Sequence, residues 1–231
     1  MVKKLLLVPL LAIFLFVGAV QAQTNDLPEP GMLSDNPFYF LKNWTEGIGT
    51  FFTFGEIAKA ERFLNLSEKR LAEANALIEK GKSEIAERAI NRYEEQLGYA
   101  LVKAEEAKAK GLDTDEVLAK VSEATLKHQA VLADVYERVP EQAKSAIERA
   151  IQAGMRGHEE ALKAVSGQKR EEVMQNMEEK RQEVEQRLEG LRDEGVPIPT
   201  KEEIEQKPEV QELEVKKQEV PAGKPETPGQ P

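Results

Sequence analysis

The sequence predicts an all-α protein: an elongated antiparallel bundle of four long helices, with a short aromatic helix before it and a charged helix and a disordered tail after it. Apolar residues recur at alternating steps of three and four along most of the chain, which is the period of one helix face. Gly81, Gly111 and Pro140 interrupt this pattern at nearly equal intervals. Seven of the 12 prolines lie between Pro197 and Pro231, where regular helices should therefore stop.

The N-terminus has the pattern of a secretory signal peptide. Lys3 and Lys4 precede an apolar run from Leu5 to Val20, and small residues at Val20 and Ala22 suit a signal peptidase. We expect residues 1–22 to be removed and the mature protein to be extracytoplasmic, whether periplasmic, on the cell surface or secreted. The alternative is an uncleaved membrane anchor, but the run is short of the ~20 apolar residues that a spanning helix needs. Residues 23–34 form a polar spacer.

The composition of the chain argues against cysteine chemistry and against a nucleic-acid partner. The chain has no cysteine, so it uses neither disulfides nor thiolate chemistry. Its net charge is −10 without an evident basic face, so we expect no nucleic-acid partner.

The first structural segment is aromatic. Asp35-Asn36-Pro37 favours a helix start, and seven of the 13 aromatic residues lie between Phe38 and Phe54. We favour packing of these residues across the bundle, because alanine-rich seams bury little apolar area. Insertion at a membrane surface is the alternative. A membrane-surface helix usually has a lysine-rich polar face, whereas this segment has only Lys42 to oppose Glu46.

Four long helices should follow in residues 35–166. Thr53 to Glu56 has capping-box spacing and opens the first helix, and Gly81 ends it. The second should run from near Ser83 to Gly111. The others follow the acidic cap at 113–116 and Pro140. Short connections make neighbours antiparallel, as an up-down bundle or as two stacked helical hairpins.

A charged, coiled-coil-like helix is expected at residues 167–195. Met174, Arg181 and Leu188 share one heptad position, and Met177, Val184 and Leu191 share the other. This apolar stripe, with Arg181 as its one charged member, must fold back on the bundle or meet another chain. From residue 196 to 231 proline, glutamate and lysine dominate, which is typical of disorder.

No residues indicate catalysis or a cofactor. His128 and His158 should be too far apart along the helices to share a metal ion, and the abundant carboxylates interleave with lysine and arginine as on a solvated face. Asp113, Asp115 and Glu116 do not have the spacing of a calcium loop and fit a helix cap better.

Three segments resemble a family of exported prokaryotic helical domains of unknown function. The opening is D-N-P-F-Y-F-L-K-N-W at 35–44, with F-F-T-F at 51–54. R-L-A-E-A at 70–74 is similar to the family's first long helix, and V-P-E-Q-A-K-S-A-I-E-R-A-I at 139–151 is similar to its closing helix. The resemblance covers roughly 32–165 and implies export and a helical domain, with no catalytic residue.

The sequence therefore predicts a non-enzymatic envelope protein that acts by protein–protein interaction, by self-association or in a structural role. The alternative is an exported metal- or stress-responsive binding protein, for which two histidines are few. The predicted interaction residues come from the aromatic segment and from the charged helix: Phe38, Trp44, Phe51, Phe52, Met174, Met177, Arg181, Val184, Leu188 and Leu191.

Overall fold

The all-α class is confirmed in the computed structural model, which describes residues 27–206. Helices, turns and loops account for this whole range. The helices are α1 (Tyr39–Phe51), α2 (Glu56–Glu79), α3 (Ser83–Ala109), α4 (Asp115–Tyr136), α5 (Glu141–Ala164), α6 (Gly167–Asp193) and α7 (Lys201–Gln206). The predicted signal peptide and residues 207–231 of the predicted tail lie outside the described residues.

Two helical hairpins form the centre of the bundle. α2 packs on α3, α4 packs on α5, and the hairpins join through α3 against α5 and α2 against α4. Gly81 and Gly111 end the second and third helices with φ of +69° and +73°, a backbone conformation that glycine adopts without a Cβ penalty. Lys82 N and Leu112 N then donate to carbonyl oxygens of the preceding helix, which turns the chain back on itself. Of the two arrangements predicted, the pair of stacked hairpins is the observed one.

The core combines small and large side chains. Alanines fill much of the helix contacts, including Ala60, Ala74, Ala100 and Ala104, which have no exposed surface. Larger side chains such as Leu71, Leu77, Ile147 and Ile151 are equally buried. Small residues let helix axes approach closely, but they bury little apolar area each. Extra apolar surface must therefore come from another element.

That element is α6, which folds back along α4. Val173, Met177, Val184, Leu188 and Leu191 are all buried in the core. Of the two alternatives for this stripe, folding back on the bundle is the one observed, because its apolar members are covered by the same chain. Met174 stays 36% exposed, and Arg181 lies beside Glu178 at the edge of the contact. The register places Val173 rather than Met174 in the stripe.

The predicted start of the tail at residue 196 also needs correction. Val196 and Ile198 are buried, and α7 packs on α5. Arg192 donates to the carbonyl oxygens of Ile198 and Pro199, and Gln152 donates to that of Pro197. Residues 196–206 therefore belong to the folded domain despite their prolines. Two buried apolar side chains and the hydrogen bonds to their backbone carbonyl oxygens hold them in place.

Side-chain caps are a smaller correction. α2 begins after Gly55, which has φ of +85°, and no side chain caps it. The predicted capping residue Thr53 instead donates its hydroxyl to the Gly49 carbonyl oxygen of α1. Asp113 does accept a hydrogen bond from the Asp115 N–H at the start of α4.

Candidate functional site

Helix α1 separates its polar and aromatic residues onto opposite sides. Tyr39, Lys42 and Glu46 follow one another at steps of three and four and face the bundle. The outer side of α1 carries Phe40, Leu41, Trp44, Ile48 and Phe51, and Phe38, Phe52 and Phe54 lie just before and after the helix. All eight are large, apolar and exposed, and we call them the aromatic surface. The helix is thus amphipathic with its apolar face turned outwards, the reverse of the usual orientation on a globular protein.

A buried carboxylate holds the N-terminal half of α1. Glu73 on α2 has no exposed surface and accepts the Tyr39 hydroxyl at 2.7 Å. It also forms ion pairs with Lys42 and, at 2.5 Å, with Arg70. Arg70 reaches in addition to Glu46 of α1. The charged face of the helix therefore meets fixed charges of opposite sign.

Cations surround the Tyr39 ring as well. The charged groups of Arg92, Lys42 and Arg70 lie 5.4, 5.7 and 6.0 Å from its centroid, within cation–π range. Burial and the hydrogen bond to Glu73 raise the pKa of Tyr39 to about 12, so the phenol remains a donor. Burial would lower the pKa of Arg70, but Glu73 and Glu46 outweigh it and raise that pKa.

The C-terminal half of α1 rests on Arg62. The guanidinium donates to the Glu46 carbonyl oxygen at 3.1 Å and lies under Gly49. A Cβ added at Gly49 would come within 2.7 Å of that guanidinium, so glycine permits this close approach. α1 is therefore held by directional polar contacts, and Tyr39 is its one buried residue.

The prediction that the aromatic segment packs across the bundle is wrong. Trp44 and Phe51 are each 67% exposed, and Phe54 is 78% exposed. Lys42 and Glu46 are the only charged residues of the segment. Both form ion pairs towards the bundle, Lys42 with Glu73 and Glu46 with Arg70, so the outer side has no charge. Phe51 and Phe52 contact each other edge to face, with centroids 5.2 Å apart.

The two sets of predicted interaction residues thus differ in their exposure to solvent. Phe38, Trp44, Phe51 and Phe52 are all exposed within one short segment, as are Phe40, Leu41, Ile48 and Phe54. Met177, Val184, Leu188 and Leu191 lie in the core. For Phe40, Leu41 and Ile48 the sequence signal was their spacing of three or four residues from Trp44, whereas Phe54 lies beyond the end of α1.

The histidines occupy separate positions. His128 is buried with its ring 5.4 Å from that of Tyr93, and burial lowers its pKa to about 3. His158 Nδ1 lies 2.9 Å from the Ser122 carbonyl oxygen, and burial lowers its pKa too. The carbonyl accepts, so Nδ1 carries the proton of the neutral ring.

A recess of about 360 Å³ lies among α4, α5, α6 and α7, with His158 and Gln129 in its wall. Its rim carries both signs of charge, from Glu159, Glu178, Arg181 and Lys201 among others. Within residues 27–206, no group of three or more histidine, aspartate or glutamate side chains is arranged to hold a metal ion. Nor does any helix in that range combine the length and apolar character needed to cross a membrane.

Residues 31–142 match the family model of DUF5667, a domain of unknown function. The match includes the aromatic opening and α1 to α4, and it ends at the start of α5. It therefore contains two of the three segments that carried the sequence resemblance and only the first residues of the third. Neither a curated protein nor a solved structure matches the chain.

Proposed function

We propose that the chain is an exported, non-enzymatic protein of the cell envelope that works by contact through the aromatic surface of α1. The single observation that supports this proposal is the outward orientation of eight large apolar side chains on one short segment. Exposed apolar patches on soluble domains are otherwise small and scattered, and larger ones mark sites of interaction.

The way α1 is held strengthens this proposal. A helix that merely lacked a partner could bury its aromatic face by rotating about its axis. Here Tyr39, Lys42 and Glu46 lock the rotation through Glu73 and Arg70, so the aromatic face is presented rigidly. A rigid anchor reduces the entropy lost on binding.

The charged helix has another role in this proposal. Its apolar stripe supplies core surface to an alanine-rich bundle, which leaves the aromatic surface as the contact region. The metal- or stress-responsive alternative has no observation in its favour among the described residues.

Export is tested by expressing the full chain in a bacterial host and measuring the intact mass of the extracytoplasmic product. A mass that corresponds to a chain starting at Gln23 supports export with cleavage. A full-length product confined to the cytoplasm would contradict it.

The contact surface is tested by photo-crosslinking in cells. A photoreactive phenylalanine analogue replaces Phe51, and the same analogue replaces Leu112, an exposed apolar residue between α3 and α4, as the matched control. We expect adducts, to protein or to lipid, from position 51 and not from position 112. Equal yields from the two positions would overturn the proposal.

A further inference from the structure

We infer that the partner of the aromatic surface is the lipid–water interface of a membrane, with α1 lying in the plane of that interface. This inference rests on the proposed function and specifies the partner. It begins from the charges of α1, since residues 37–54 contain only Lys42 and Glu46 as charged residues, and both form ion pairs towards the bundle.

The outer side of α1 therefore has no charge to desolvate when it enters an apolar phase. Its residue types also suit the boundary between headgroups and acyl chains, where tryptophan and phenylalanine side chains insert favourably. Asn43 and Thr45, which are exposed beside Trp44, supply polar groups that suit the headgroup region.

The size of the surface favours lipid over a protein partner. A stable protein–protein interface takes about 20–30 residues from each side. The aromatic surface has eight, on a helix of 13 residues and its flanks. A lipid surface needs no complementary shape, so a short row of anchors is sufficient for binding.

The position of α1 in the chain points the same way. The apolar run that ends at Val20 precedes α1 by 18 residues, which span at most ~60 Å when fully extended. During export, and permanently if the run is retained, α1 is the helix of the bundle nearest in sequence to the membrane.

The net charge of −10 predicts the lipid preference. Electrostatic attraction to anionic lipid is absent, so binding must come from the apolar side chains alone. We therefore expect binding to neutral phosphatidylcholine vesicles that does not weaken when salt is raised, in contrast to binding through basic patches.

Trp44 is the sole tryptophan and makes the test direct. Mature chain, residues 23–231, is mixed with phosphatidylcholine vesicles. We expect co-sedimentation, a blue shift of Trp44 emission, and quenching by lipids brominated in the acyl chain. The double variant F51S/F52S keeps the probe and should lose about tenfold or more in vesicle partitioning.

Two controls separate binding from folding. Met174→Ser, at an exposed apolar residue of α6, should bind vesicles as the parent does. The urea midpoint of F51S/F52S should equal that of the parent, because both phenylalanines are exposed.

Three outcomes of the vesicle assay would overturn the lipid assignment. They are no binding by the parent, binding that survives F51S/F52S, and binding to anionic vesicles only at low salt. Oligomers of the parent without lipid, dissociated by F51S/F52S, would show that a second copy covers the surface. If position 51 still forms specific adducts in cells while vesicle binding fails, the proposed function stands and the lipid assignment falls. If both tests fail, both proposals fall.

Discussion

Glu73 is the residue on which the orientation of α1 depends. A fully buried carboxylate is stable only when it is paired and hydrogen-bonded, and Glu73 has the Tyr39 hydroxyl and the cations of Lys42 and Arg70. Each of these contacts also positions α1 or the residue that binds it. The same group therefore contributes to stability and sets the face that α1 turns to solvent.

We expect Glu73→Ala to lower the free energy of unfolding by about 3 kcal/mol, because it leaves Lys42 without a carboxylate partner and Arg70 with Glu46 alone. Urea denaturation measures this change. Glu61→Ala is the matched control, since it breaks a pair with Lys120 whose members are 44% and 49% exposed, and it should cost less than about 1 kcal/mol. Similar costs for the two variants would contradict a structural role of the buried network.

His128 should make stability fall as the solution becomes acidic. Its pKa is about 3 in the folded chain, against an ordinary value of 6.5, so only the unfolded chain takes up a proton between these values. Stability is therefore unaffected above pH 6.5, and below it His128 removes up to about 1.4 kcal/mol for each pH unit. His128→Phe keeps a ring beside Tyr93 and should abolish this contribution.

The measurement compares unfolding free energies of parent and His128→Phe from pH 7.5 to pH 5. The difference between the two chains isolates His128 from half-buried carboxylates such as Glu94, whose pKa is raised by burial and acts in the opposite direction. A difference that does not change with pH would show that the His128 ring is protonated equally in both states.

At the scale of elements, α6 and the segment after it complete the core. The alanine seams of α2, α3 and α5 permit close packing, and α6 adds five larger apolar side chains. The 196–206 segment then covers part of α5 through Val196, Ile198 and α7. Both elements pack within one chain. Substitutions in them should therefore change the free energy of unfolding by the same amount at every protein concentration.

Val184→Asp should lower the free energy of unfolding by more than about 3 kcal/mol, because it places an unpaired carboxylate at a site that is 2% exposed. Met174→Asp, at a residue 36% exposed on the same helix, is the matched control and should cost far less. Urea denaturation at two protein concentrations measures both. A cost for Val184→Asp that grows with concentration would return the seam to an intermolecular role.

Ending the chain after Glu194 should lower the melting temperature by roughly 5–15 °C, because Val196 and Ile198 leave the core. Ending it after Gln206 keeps both residues and should leave the melting temperature nearly unchanged. Differential scanning calorimetry compares the two. Equal melting temperatures would show that the disordered tail begins at residue 196, as the sequence predicts.

At the scale of the whole molecule, the folded unit is larger than the part that matches DUF5667. The match ends at residue 142, yet α5 packs on both α3 and α4 and buries Ile147, Ile151 and Leu162. A chain of residues 27–142 would expose the faces that α5 covers. We therefore expect this fragment to lack a cooperative thermal transition by circular dichroism, whereas residues 27–206 should show one. A cooperative transition in the shorter fragment would mean that α1 to α4 form an independent domain.

The sequence by itself determined the helices of the described chain, apart from α7. Helix formation depends on residues three and four apart and on terminating positions such as Gly81 and Gly111, so a local pattern contains the necessary information. The same pattern showed that the α1 segment and the α6 stripe each needed a covering surface or a partner. It could not say which.

Only the tertiary structure decided which faces are covered, because that choice depends on residues distant in sequence. Glu73 lies 34 residues from Tyr39, and Arg70 lies 24 residues from Glu46. These pairs turn the polar side of α1 inwards, while α6 finds α4 instead of another chain. An amphipathic pattern fixes two faces but not their orientation, and here long-range ion pairing reversed the orientation expected from hydrophobicity alone.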